Sequence, residues 1–184
     1  MGRRPVSGLT PSQTVGPYSR IGLDWPDAWR LAVDDSAAPR ITLRGQVLDG
    51  DGAPVTDALI EIWQADSAGR YHASRAGGFR GAGRCAVDGH GGFRFETVKP
   101  GRVVAPDASL QAPHINVLVL ARGLLQHLYT RIYFAADAAL HATDVVLACV
   151  PARRRATLIA APVDDEQVFN IHLQGEYETV FFEL

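Results

Sequence analysis

From Ile41 onward the apolar residues recur at every second position in short runs, and this period limits what the chain can fold into. Ile41-Thr42-Leu43-Arg44-Gly45-Gln46-Val47 alternates apolar with polar. A half-buried strand requires that pattern, because successive side chains leave a strand on opposite faces. Residues 58–63, 93–98, 114–121 and 128–134 read the same way. Turn chemistry separates the runs: Asp49-Gly50-Asp51-Gly52, a Gly-rich stretch over 69–83, and Pro100-Gly101. Gly123 sits in a connection short enough for a hairpin. Residues 169–173 and 177–182 flank Gly175 and predict a last hairpin, and Pro151 and Pro162 bracket a predicted helix over 152–161. About eight short strands and one short helix predict an all-β fold, an antiparallel β-sandwich.

The first 40 residues lack this period. Pro5, Pro11, Pro17, Pro26 and Pro39 punctuate them, yet they carry Tyr18, Trp25 and Trp29, side chains that are costly to leave in water. An ordered arm laid over another surface reconciles the two facts, whether that surface belongs to its own domain or to a second chain. The chain therefore divides into an N-terminal arm at an interface (1–40) and a β-sandwich domain (41–184).

Composition narrows the function classes. With 47% hydrophobic residues in 184, a sizeable core is within reach. A net charge of −2 with no long basic run gives little support for binding nucleic acid or an anionic membrane. No apolar run suggests a signal peptide or a membrane span, so a cytoplasmic protein is expected. Cys85 and Cys149 are far apart and match no metal-ligand spacing, so they are read as free thiols.

Two constellations could carry chemistry. His114 opens an apolar strand, and the residue sharing its face is Asn116. An amide is a poor substitute for imidazole around a transition metal, so the pair reads as hydrogen-bonded structure. His90 and His141 read as solvated surface residues, with His72 in a turn and His172 within a strand. The second constellation is Tyr129, Arg131 and Tyr133, which alternate with apolar neighbours and give their strand an aromatic-cationic face. A guanidinium can grip a carboxylate through two parallel hydrogen bonds. It can equally pair with an acid on the next strand, and pattern alone leaves both open.

Longer stretches carry a resemblance. Thr10-Pro11-Ser12-Gln13-Thr14-Val15-Gly16-Pro17-Tyr18 resembles an arm shared by the subunits of the protocatechuate dioxygenase family of intradiol dioxygenases. Leu59 to Asp66 with Gly69-Arg70-Tyr71 is similar to that family's signature strand and turn, and Ala112 to Asn116 with Arg131 to Phe134 to its active-site strand pair. Gln174 to Phe182 resembles the ending of its α chains.

The resemblance implies intradiol cleavage of 3,4-dihydroxybenzoate (protocatechuate) by O2, giving 3-carboxy-cis,cis-muconate in aromatic catabolism. It implies a non-haem Fe(III) held by two tyrosines and two histidines of a partner, the β subunit, in an αβ hetero-oligomer. On this chain the second histidine is replaced by Asn116 and one ligand tyrosine by Val103. The other ligand tyrosine is placed in the Gly- and Arg-rich sequence after Tyr71, with Tyr71 itself matched to a non-ligand. Three of four ligands are then missing, no metal is expected here, and His114 marks a vestigial position. No residue of this chain is expected to be catalytic. Arg131 carries over as a substrate-side cation, with Thr14 and Tyr18 as pocket-wall residues. The rival readings are a self-sufficient catechol or hydroxyquinol dioxygenase, which needs ligands this sequence lacks, and a non-catalytic transthyretin-like β-sandwich binding module.

Overall fold

The computed structural model describes residues 14–16, 18–32, 38–71, 79–105 and 107–183, without the side chains of residues 18–20. Residues 10–13 and 17 of the arm motif, the side chain of Tyr18, and His72 lie outside what is described.

The alternating runs become strands at nearly the expected bounds: β1 (Arg40–Leu48), β2 (Leu59–Gln64), β4 (Gly92–Val98), β7 (His114–Leu120) and β8 (Leu128–Phe134). β3 (Ala82–Ala86) emerges from the Gly-rich stretch, and β5 (Val103–Val104) and β6 (Leu110–Gln111) form a small separate ribbon. β9 (Ile159–Val163), β10 (Glu166–Val168) and β11 (Ile171–His172) complete the main sheet. Its order is β11-β1-β10-β9-β8-β7-β2-β3, with β4 on the other edge of β1.

The fold is mostly β, but the expected purely antiparallel sandwich is corrected to a mixed sheet. β1 runs parallel to β10 and to β11, and β8 runs parallel to β9. Parallel partners come from opposite ends of the chain, so periodicity carries no trace of their direction. The expected helix over 152–161 is also corrected. It forms only as a 3-10 helix, Ala152–Leu158, after which Ile159 and Ala160 pair with Tyr133 and Phe134. Three short helices join it: α1 (Tyr18–Leu23), α2 (Ala138–His141) and α3 (Val145–Cys149). The last hairpin does not form. β11 pairs with β1, and 177–182 contributes one bridge, Phe182 to Tyr129.

Residues 28–32 close the gap between the two ends of the sheet. Leu31 and Ala32 N–H donate to Glu96 O and Glu96 N–H donates to Trp29 O, while Arg80 N–H donates to Leu31 O and Arg84 N–H to Ala28 O. This stretch of the arm thereby joins β4 to β3 through the backbone, and Leu31 is fully buried in the main core. The glycine at position 83 permits this, since a Cβ there would come within 2.5 Å of Leu31 Cδ1. Beneath lies one large apolar cluster built from Leu43, Val47, Ile60, Ile62, Phe95, Ile115, Val117, Ile132 and their neighbours. A second, smaller cluster of Ala112, Tyr133, Leu147, Val150 and Leu158 sits under the helices.

Candidate functional site

With Ile62, Ile115, Val117, Thr130 and Ile132 turned inward, alternation turns Trp63, His114, Asn116, Tyr129, Arg131 and Tyr133 to the opposite face. Register aligns them in rows: Trp63, Asn116 and Arg131 lie side by side, and His114 lies opposite Tyr133.

Tyr71 reaches this face from a tight turn. Asp66 Oδ1 accepts from the backbone of Ala68 and Arg70 at 2.9 Å each, and the Arg70 guanidinium returns to Asp66 Oδ2 at 3.1 Å. Gly69 adopts φ +79°, and a Cβ there would lie 1.9 Å from Arg102 O, so only glycine lets the turn lie flush on the backbone at Arg102. The Tyr71 ring then packs at a tilt against Trp63 with centroids 4.9 Å apart. Its hydroxyl stands 3.1 Å from Asn116 Nδ2 and 3.5 Å from His114 Nε2.

The phenol facing the His114–Asn116 pair is Tyr71; residues 72–78, where the resemblance places the match to a ligand tyrosine, lie outside the described residues. A phenol and an imidazole therefore still meet here.

The donor set nevertheless does not fit a ferric ion. His114 Nδ1–H donates to Ala112 O at 2.8 Å, which leaves Nε2 as an acceptor facing the Tyr71 hydroxyl. Asn116 presents an amide, and Val103 has no donor atom at all. Burial holds Tyr71 above the usual phenol range, so it is neutral rather than anionic. Among the described residues, no group of three or more His, Cys, Asp or Glu side chains could hold a metal.

Arg131 is the other focus. Its Nη1 donates to Gln111 Oε1 at 2.9 Å, while its Nε is buried with no partner. No carboxylate pairs with it among the described residues, so the neighbour left open in the sequence is an amide rather than an acid. Burial works against its charge, but hydrogen bonding and charge from Tyr129 and Tyr133 outweigh this and raise its pKa further. Tyr133, raised by burial and by the Asp144 carboxylate, donates to Asp144 Oδ1 at 3.2 Å. Asp144 also caps α3 through Val146 and Leu147 N–H and accepts from Ala112 N–H at 2.7 Å. One buried carboxylate thus ties the floor of the site to the helices.

Thr14 Oγ1 accepts from Gly123 N–H at 3.0 Å, at the tip of the hairpin whose middle carries Arg131. Tyr18 opens α1. A cleft of about 670 Å³ opens beside Asn116 and Tyr129, and Trp25, Trp63, Arg80 and Arg84 also line it. His90 is exposed, and His172 packs on Tyr177. The expectation of a solvated His141 is corrected: its ring packs edge-on against Tyr133 at 5.8 Å, and its Nε2 is buried.

Burial, and then the Arg131 cation, lower the His114 pKa to about 4 from 6.5. The unfolded chain therefore takes up this proton at a higher pH than the folded chain does. The contribution to stability is complete above about pH 6.5 and is lost progressively as pH falls toward about 4. Thermal unfolding between those values should show a steeper loss for the native sequence than for His114→Gln. Equal slopes would mean that His114 is already protonated in the fold.

A dioxygenase family model matches residues 18–181. The protocatechuate 3,4-dioxygenase α chain of Burkholderia cepacia is 46% identical over 197 aligned residues, covering 95% of this chain and 97% of that one. The chain belongs to the intradiol dioxygenase family. The protocatechuate 3,4-dioxygenase β chain of Burkholderia cepacia is 37% identical, covering 66% of this chain and 55% of its own length. Among solved structures, the dioxygenase domain of a dioxygenase–carbohydrate-binding fusion from Streptomyces sp. SirexAA-E superposes with a TM-score of 0.63 at 22% identity. That match covers 94% of this chain and 96% of the other, and it shows the intradiol dioxygenase fold alone. Among the described residues, no helix is long and apolar enough to cross a membrane.

Proposed function

We propose that this chain is the α subunit of a protocatechuate 3,4-dioxygenase, and that it shapes the substrate pocket while a β subunit holds the ferric iron. Such an enzyme cleaves 3,4-dihydroxybenzoate with O2, between its hydroxylated carbons, to 3-carboxy-cis,cis-muconate. The observation that carries the reading is Arg131, a half-buried cation with a buried, unpartnered Nε and no acid beside it. A ring carboxylate would supply the acid that this cation lacks, with two oxygens in the geometry of the guanidinium fork. Tyr129 and Tyr133 flank it and favour an aromatic acid over an aliphatic one.

Division of labour follows from the donor set. Asn116 and Val103 deny this chain a metal, so binding and activating the ring fall to the partner's iron. This chain orients the carboxylated end. The resemblance assigns the pocket wall to Thr14, which is bonded to Gly123 at the tip of the β7–β8 hairpin, and to Tyr18. The exposed aromatic surface fits the same assignment: Trp25 is 57% and Trp63 53% exposed, an unusual amount of indole to leave in water. A β chain seated there would cover both. A transthyretin-like binding module would leave the family match over 18–181 without a cause.

Co-expression with a β-type chain tests this directly. Gel filtration should yield one αβ hetero-oligomer that converts protocatechuate, with this chain inert by itself. Failure of the two chains to associate would overturn the proposal.

A further inference from the structure

Asn116 stands where a metal-binding pair needs an imidazole, and its amide is fully engaged. Nδ2 donates to Trp63 O and to Tyr71 Oη, both at 3.1 Å, and Oδ1 accepts the Tyr129 hydroxyl. The residue is 3% exposed and lies opposite Arg131 in the β7–β8 register. An amide suits this place because one planar group carries two donors and an acceptor. A neutral imidazole, with one of each, cannot hold all three partners.

The consequence falls on Arg131. Tyr129 commits its proton to Asn116, so toward its neighbours it presents only oxygen lone pairs. Arg131 is the next residue on the same face of β8. From the other side, Tyr133 commits its proton to Asp144. The guanidinium is thus set between two phenol oxygens that accept and do not compete as donors, with Gln111 fixing Nη1.

We infer that Asn116 is a positioning residue: by holding the Tyr129 hydroxyl, it orients the Arg131 guanidinium to receive the substrate carboxylate. The inference rests on the reading of Arg131 as the substrate-side cation. It gives the lost histidine position a present use, in which a hydrogen-bonding hub stands where a metal ligand would otherwise be.

The test uses the co-assembled αβ enzyme with Asn116→Leu and Tyr129→Phe, each alone and combined with Arg131→Ala. Leucine keeps the volume and removes all three bonds, while phenylalanine keeps the ring and removes only the hydroxyl. Each single change is expected to raise KM for protocatechuate about three- to tenfold, the worth of one or two neutral hydrogen bonds. Iron content should stay unchanged, and any rise in KM for catechol, which has no carboxylate, should be smaller than that for protocatechuate. With Arg131 already alanine, Asn116→Leu should add nothing, because its route of action is gone. An unchanged KM in Tyr129→Phe overturns the inference, as does a KM effect of Asn116→Leu that multiplies with that of Arg131→Ala. If Arg131→Ala itself has no effect, the pocket reading fails, and that outcome is distinct from a failure of Asn116 alone.

Discussion

Arg131→Ala in the assembled enzyme is expected to raise KM for protocatechuate by one to two orders of magnitude, with iron content unchanged. A hydrogen bond to a charged group is worth about 1.5–3 kcal/mol, which converts to roughly 10- to 150-fold in affinity. The guanidinium is well placed to deliver that sum, because its Nε is buried and already without a protein partner. No competing acid has to be displaced first. Arg131→Lys should recover only part of the loss, since an ammonium keeps the charge but not the planar fork. Catechol should be nearly indifferent to either change. Equal effects on the two substrates would mean that Arg131 supports the pocket without touching the carboxylate.

Leu31→Ala should be a strongly damaging change to the fold outside the site. Leu31 is fully buried, and its backbone joins Glu96 on β4 to Arg80 beside β3. Truncation there leaves a cavity that the paired backbone cannot collapse to fill, which costs about 3–4 kcal/mol. For a domain of this size the melting temperature should drop by roughly 6–16 °C. Ile21→Ala is the matched control: Ile21 lies on the same arm but is 75% exposed, so its truncation should shift melting very little. A small effect at Leu31 would show that the sheet ends hold together without the arm.

The two residues also show what the sequence could and could not disclose. Strand β1 was legible because it has one wetter and one dry face, and alternation records that difference; β7 and β8 were legible as short apolar runs between turn signals. Pairing direction was not legible. β10 and β11 are three and two residues long, too short to show a period, and their partner β1 lies more than a hundred residues upstream. The 3-10 helix ended early for a similar reason: helix signals at Pro151 and Pro162 could not reveal that Ile159 had a strand waiting beside it.

At the site, Arg131, His114 and Asn116 were recognisable because a strand puts every second residue on one face. Tyr71 was not, because a turn decided its direction. Its place depends on Asp66 curling the chain back and on Gly69 lying against Arg102, contacts between segments that no linear pattern connects. The role of Asp144 was hidden in the same way. It caps α3 and also anchors Ala112 and Tyr133. The arm gave a mixed signal that resolves physically: Leu31 is core, while Trp25, six residues earlier, is mostly exposed at the cleft.

The measurement that bears most directly on the whole account is iron per chain, with the visible spectrum, for this chain purified alone and purified with its β partner. The chain alone should be colourless and hold no stoichiometric iron, because Asn116 and Val103 supply neither imidazole nor phenolate and Tyr71 with His114 makes only two donors. The complex should carry one iron per αβ pair with a phenolate-to-iron absorption band. Stoichiometric iron with that band in the isolated chain would contradict the account, and this chain would then be a catalyst in its own right.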